Sequence, residues 1–277
     1  MAGKLLFTLH TLNRRLFNTT LLRRRNFDGH IVSLHQAGFH WLKNMLSFVL
    51  IEHYGLPPMT DIRDNSVIGH PRSPPVYNNI PRIVHSHSLP HLLTLKIPGI
   101  HFPDYLVLVR DLRTSLISHY ERFKRRYKNI GFSEYLRGDI HQKKFFSDIY
   151  SRIRFMNEWG NLLQRDDTRL MSLRYEDLQA DAERELERVI DFFGIGTIPA
   201  TVIENAVREN NRQNMAKRQQ PEKNTYIVRC GPEMPVDYYF DCENQAFLVD
   251  TCRELLRHDF GYHYSYNTSP DIHRNMS

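Results

Sequence analysis

Cysteine is scarce in this 277-residue chain: Cys230, Cys242 and Cys252 are odd in number and have no CxxC spacing. That argues against both a disulfide framework and a cysteine zinc site, and points to a reducing, cytoplasmic compartment. Long apolar runs are missing too. No stretch approaches the roughly 18 residues of a membrane span, and no small-residue cleavage site follows a short apolar core, so neither a Golgi-type anchor nor a secretory signal is expected. The pattern G-x-x-x-x-G-K-[ST] and an obvious magnesium carboxylate are also lacking, which disfavours kinase chemistry. Proline (14) and glycine (13) stand at ordinary levels and charged residues make up 25%, so nothing suggests disorder or low complexity.

What is present is positive charge: 37 Lys and Arg against 31 Asp and Glu. The excess suits an anionic partner, whether nucleic acid, an acidic membrane surface or a polyphosphorylated cofactor. The run Arg122, Lys124, Arg125, Arg126 and Lys128 reads as the solvated face of a helix, and no nucleic-acid partner is expected. Residues 1–28 form a basic amphipathic segment in which Leu5, Leu9, Leu12 and Leu16 recur beside Arg14, Arg15, Arg23, Arg24 and Arg25. The commoner fate of such a stripe is to pack on the domain; peripheral membrane contact through residues 1–25 and an organellar transit peptide are the alternatives. Nothing in the sequence sets an oligomeric state.

The main domain is expected over residues 29–265, with a polar tail at 266–277. His30-Ile31-Val32-Ser33 is β-prone and passes through Ala37-Gly38 into a helical stretch at Trp41–Leu50, a strand, loop and helix unit. Prolines and Asn78-Asn79 make 55–81 an irregular excursion. Further strands are predicted at 82–86, 105–109 and 169–173, and helices after Asp111, at 145–163, at 181–193 and at 242–258. The stretch from Asn205 to Pro221 is polar and basic. Strands alternating with helices imply an α/β class with a mainly parallel central sheet flanked by helices.

In such a sheet ligands gather at the carboxyl ends of strands, where a helix N-terminus offers free amides and positive dipole to a phosphate. The junction Ser33-Leu34-His35-Gln36-Ala37-Gly38-Phe39-His40-Trp41 is a P-loop-like candidate after the first strand, with Gly38 allowing close backbone approach. One glycine in a turn is a weak signal by itself.

Here the chain resembles the cytosolic-type sulfotransferases. Their first signature, roughly Ser-Tyr-Pro-Lys-Ser-Gly-Thr-Thr-Trp-Leu-Arg, is matched by Ser33, Gly38, Trp41 and Leu42, with Lys43 for the arginine. Their second is similar to Arg110-Asp111-Leu112-Arg113-Thr114 followed by Ser118-His119-Tyr120. Leu173-Arg174-Tyr175-Glu176-Asp177-Leu178 and Arg229-Cys230-Gly231 resemble two later family stretches in the same order. Ordered co-occurrence across about 200 residues carries more weight than any single match. The separate readings are a surface ion pair for Arg110 and Asp111, a core aromatic for Tyr175 and a solvated loop cation for Arg229.

The resemblance implies 3′-phosphoadenosine 5′-phosphosulfate (PAPS) as donor, with 3′-phosphoadenosine 5′-phosphate (PAP) as product. Arg110, Ser118 and the Arg229-Cys230-Gly231 loop would hold the 3′ phosphate, Trp41 and Tyr175 the adenine, and the backbone of Ala37, Gly38, Phe39, His40 and Trp41 the 5′ phosphate. His87, in His85-Ser86-His87-Ser88-Leu89-Pro90, would be the general base toward a small-molecule, sugar or lipid acceptor presenting a hydroxyl or amine, in a pocket built from 55–104 and 121–160. Where the family keeps a catalytic cation, this chain has Gln36. Phe39-His40 replaces a Thr-Thr pair, and His85 replaces a lysine. A protonated His35, His40 or His85, or a reaching Lys43, would fill the gap; otherwise the protein is a nucleotide-binding module impaired in transfer. No metal is expected.

Overall fold

The computed structural model describes residues 2–18, 27–141, 143–165, 169–219, 228 and 234–265. Four short strands, β1 (Gly29–Ser33), β2 (Ile83–Ser86), β3 (Asp104–Val109) and β4 (Leu170–Arg174), lie where the apolar runs predict them. They pair in the order β2-β1-β3-β4, every pair parallel. All five residues of β1 are buried, as are the last five of β3, because strands covered on both faces spend every side chain on the core. The chain leaves β1 to add β2 on one side and then returns to add β3 on the other. That reversal opens a crevice at the carboxyl edge beside β1, the place where open α/β sheets take ligands.

Helices cover the sheet: α1 (Ala2–Leu16), α2 (Phe39–Tyr54), α3 (Leu112–Phe123), α4 (Phe132–Arg137), α5 (Ile149–Leu163), α6 (Tyr175–Ala180), α7 (Ala182–Phe192), α8 (Ala200–Glu209), α9 (Arg212–Arg218), α10 (Val236–Tyr239) and α11 (Cys242–Leu255). Helix α2 buries nine of its residues, Lys43, Asn44 and Ser47 included. The excursion at 55–81 holds no helix or strand and is tied to the sheet through Gly69, which bridges Val84. Helix α5 starts at Ile149 rather than 145, where Asp148 caps it by accepting from the Ser151 amide at 2.9 Å. Within the polar stretch 205–221 the chain forms the end of α8 and all of α9, and α8 lays Ile203 and Ala206 into the core. Two buried apolar residues, one turn apart, suffice to dock a short helix whose other faces are polar.

The leucine stripe does not pack on the domain. Leu5, Leu9, Leu12 and Leu16 are 63%, 55%, 44% and 54% exposed, and Phe17 after them 73%. Helix α1 instead buries Phe7 and Thr11, so the face that docks is the one opposite the leucines. Polar contacts fix it there. Arg15 pairs with Glu158 of α5 and donates to the Pro90 carbonyl at 3.2 Å, and the Asn18 amide donates to the Leu89 carbonyl. The basic run is likewise split: Lys124, Arg125, Arg126 and Lys128 lie beyond the end of α3 and are exposed, whereas Arg122 is half-buried with its Nε unpartnered.

Candidate active site

The loop between β1 and α2 is anchored to β3, because the Leu34 amide donates to the Leu108 carbonyl at 2.8 Å. It turns back on itself as the Ala37 amide donates to the Leu34 carbonyl at 3.2 Å. Gln36 takes a left-handed conformation at φ 65. Gly38, at φ 81, is the N-cap of α2 with no side-chain cap. A Cβ at Gly38 would lie 2.5 Å from Cδ2 of Tyr175, so both backbone conformation and neighbouring ring demand glycine. The amides of Gly38, Phe39 and His40 meet no acceptor among the described residues. They point positive dipole into the crevice, as a phosphate requires.

Arg110, at the end of β3, lies across this loop. Its Nη1 donates to the Gln36 carbonyl and its Nε to Thr114 Oγ1, each at 3.0 Å, while Cζ stands 4.3 Å over the Tyr175 ring. It is not an ion-pair partner of Asp111. That carboxylate caps α3 by accepting from the Arg113 and Thr114 amides, and pairs with the Arg113 guanidinium at 3.2 Å. Ser118 is one turn beyond Thr114 on α3 and therefore shares the face that touches Arg110. Tyr175, half-buried at the start of α6, meets Trp41 edge-on at 6.3 Å. The indole Nε1 is buried without a partner. Aromatic walls with one spare donor fit a purine. Arg229, Cys230 and Gly231 lie outside the described residues.

Three supports were not legible in the sequence. Thr114 holds the Arg110 guanidinium, and Glu176 accepts from the Asp111 amide at 3.2 Å while also taking the Tyr262 hydroxyl. Tyr264 accepts from the Leu112 amide at 3.0 Å. Thr114 stands four residues after Arg110, in the stretch that carried the motif, whereas the contacts of Glu176 and Tyr264 run across 65 and 152 residues and leave no spacing to read.

At the ends of β1 and β2 the histidines gather. His87 Nδ1 lies 2.8 Å from the Ser33 carbonyl and 3.0 Å from Ser33 Oγ. A carbonyl only accepts, so Nδ1 carries the hydrogen and Nε2 keeps an unshared pair. Crowding by surrounding protein lowers the His87 pKa below its usual value, opposed by the bond to Ser33. The imidazole is neutral at physiological pH. His35 lies 4.0 Å from it, ring to ring, and His85 stacks on Phe39 at 4.2 Å.

The expected substitute cations are not charged. Burial, reinforced by Lys43, brings the His40 pKa down to about 3 and drives that of His85 lower still, and His35 falls well below its usual value. Lys43 faces the other way, bonding Asn65 Oδ1 at 2.7 Å and the Arg63 carbonyl at 3.4 Å. Among the described residues, the guanidinium that touches the Gln36 loop is that of Arg110.

Residues 30–258 match the family model described as the sulfotransferase domain. The chain belongs to that family. No curated protein matches this sulfotransferase by sequence. By structure it is similar to mouse sulfotransferase SULT7A1 complexed with PAP, at 17% identity over 89% of this chain and 90% of that one, TM-score 0.58. It is also similar to retinol dehydratase in complex with androsterone and inactive cofactor PAP, at 17% identity over 91% and 87%, TM-score 0.60. Those identities establish a shared fold. The sulfotransferase has no helix, among its described residues, long and apolar enough to cross a membrane. No three His, Cys, Asp or Glu side chains among them are grouped to hold a metal.

Beside His87 the sulfotransferase encloses a cavity of about 460 Å³. Its walls come from Ser33–His35, from His87–Leu89 and from Phe146, Ser147, Ser151, Arg152, Arg154 and Phe155, with α1 supplying Asn13 and Arg14 and the residues after it Phe17 and Asn18. The parts after β2 and before α5 fall within the stretches expected to form an acceptor pocket. The wall from α1 was not foreseen, because it depends on which face of that helix docks.

Proposed function

We propose that this sulfotransferase moves the sulfuryl group of PAPS onto a hydroxyl of a small-molecule, sugar or lipid acceptor, with His87 as general base. The observation that carries the reading is the His87 Nδ1 bond to the Ser33 carbonyl, which leaves Nε2 basic at the mouth of the cavity. The donor supplies an electrophilic sulfur bonded to a phosphate oxygen. Nε2 takes the acceptor's proton as its oxygen bonds to sulfur; the old sulfur–oxygen bond breaks and its electron pair stays on the departing phosphate. The free amides at Gly38–His40 and the α2 dipole face the charge that builds there. Arg110 and Ser118 hold the 3′ phosphate, and Trp41 and Tyr175 enclose the adenine. A binding module without transfer is not favoured, since the base keeps its tautomer and an open cavity despite Gln36.

The donor assignment is checked by calorimetry. PAP is expected to bind well and adenosine 5′-phosphate much more weakly, and Arg110→Ala to cost PAP about tenfold or more, since a charge-assisted contact contributes roughly 1.5–3 kcal/mol. Equal binding of the two nucleotides, or a loss within about twofold, contradicts it.

The exposed stripe on α1 supports contact with an anionic membrane surface. The helix has no acidic residue and exposes Lys4, whereas Arg15 is held by Glu158 and Arg14 lies on the docked side of the helix. Each leucine that enters lipid gains about 1.5–3 kcal/mol, and each nearby cation about 1 kcal/mol. Leu9→Glu with Leu12→Glu is expected to abolish sedimentation with phosphatidylserine vesicles and leave thermal stability unchanged. Unaltered sedimentation, or equal binding to neutral vesicles, rules the contact out.

A further inference from the structure

We propose that the acceptor is a hydroxylated organic anion, bearing a carboxylate, sulfate or phosphate beside the hydroxyl it presents to His87; this rests on the sulfotransferase reading of that cavity. Three guanidinium groups, Arg14, Arg152 and Arg154, line the cavity and no carboxylate does. None of Ala37–Trp41, nor Arg110, is part of its wall. The charge is therefore separate from the groups assigned to the donor.

Arg152 and Arg154 are each 1% exposed. Arg152 spends its donors on neutral oxygens, those of Ser115 and Ser147 and the Asp148 carbonyl. Arg154 donates once, to the Ile140 carbonyl, and stands 4.8 Å over the Phe7 ring. Its Nε and Nη1 are buried without a partner. Asp148 lies within the field of both, yet its oxygens accept the Asp139 and Ser151 amides at 2.8 and 2.9 Å. Among the described residues no ion pair joins Arg14, Arg152 or Arg154 to an acid.

Two buried cations without an ion-pair partner are costly because they have lost their water, and the cost falls when an anion arrives. A concave wall concentrates their field on the cavity. Arg14, exposed on α1, extends that field to the mouth. Phe17, Leu34, Leu89, Phe146 and Phe155 supply apolar surface among the polar groups of the lining, so the favoured acceptor has an apolar body with its anionic group turned toward α1 and α5.

The test uses the full chain, PAPS, and matched pairs consisting of an ω-hydroxy acid and its methyl ester, with initial rates read at low and physiological salt. The acid is expected to exceed its ester in kcat/KM by about tenfold at low salt, with the ratio shrinking as salt rises. Arg14→Glu, at an exposed position, is expected to lower that acid-to-ester ratio by several-fold. An ester turned over as well as its acid overturns the anionic acceptor while leaving the sulfotransferase reading intact. If neither compound turns over, calorimetry on the PAP-loaded protein decides: tighter binding of the acid by about tenfold upholds the proposal, and equal binding overturns it. Failure of PAP itself to bind removes the donor assignment, and the acceptor proposal with it.

Discussion

His87→Ala is expected to lower turnover by about 10²–10⁴ while PAP affinity stays within about twofold, because in the proposed role the side chain moves a proton and holds no part of the donor. His87 takes no hydrogen bond from the phosphate loop amides; its hydrogen bonds are with Ser33, through Nδ1, and its ring lies against that of His35. Loss of PAP affinity in parallel with turnover would mean that the ring supports the nucleotide site instead. The pH profile gives an independent reading. A general base must be unprotonated, so kcat/KM falls as pH drops through its folded pKa, and the protein packed around His87, itself exposed to the cavity, lowers that value from the ordinary 6.5 of an imidazole. An acid limb at or above 6.5 in the wild type would assign the proton transfer to another group.

The fold itself is expected to lose about 4 kcal/mol between pH 7 and pH 5 through two histidines that do no chemistry. His30 is buried with Nε2 2.9 Å from Ser86 Oγ, and His119 is buried with Nε2 2.9 Å from the Tyr127 hydroxyl. Burial brings His30 down to about 3 and, reinforced by Arg152 and Arg122, His119 to about 2. Unfolded, both titrate near 6.5. Their contribution is complete above 6.5 and is lost as pH falls below it, since the unfolded chain then binds protons that the folded one refuses. Each group contributes a slope of about 1.4 kcal/mol per pH unit in that window. A loss of this size is large against a total stability of roughly 5–15 kcal/mol. Urea unfolding at pH 7, 6 and 5 measures it, and His30→Gln should lower the slope by about 1.4 kcal/mol per pH unit, out of a total to which His35, His40 and His85 also contribute. A midpoint that does not move between pH 7 and pH 5 would exclude the buried neutral state.

How much of this was legible beforehand varies with the range of the interaction. The four strands could be placed to within about a residue or two, because a strand covered on both faces must be apolar along its whole length. Arg110, Ser118, Tyr175 and Gly38 were nominated by ordered motifs, and the structure brings them to one crevice. Helix α9 and the polar end of α8 were passed over, since a helix that docks through two or three apolar residues has too little periodicity to stand out from a charged stretch.

The leucine stripe shows the limit of periodicity most plainly. Spacing at 5, 9, 12 and 16 correctly implied an amphipathic helix, yet it could not say that Phe7 and Thr11, on the other face, meet the domain while the leucines remain outside. Gln36 was identified as the departure from family pattern, and the idea that a histidine supplies its missing charge rested on side chains whose desolvation was invisible. His40 and His85 are neutral because the surrounding protein removes their water.

The sequence by itself determined the parallel α/β order and the family, and it nominated the loop between Ser33 and Trp41 and His87 among fifteen histidines, since each follows from local pattern or ordered motifs. Only the tertiary structure decided the His87 tautomer, the neutrality of its neighbours, the outward face of α1 and the cationic wall opposite the base. Those properties depend on which groups from distant segments meet and how much water they exclude, and neither quantity is carried by residue spacing.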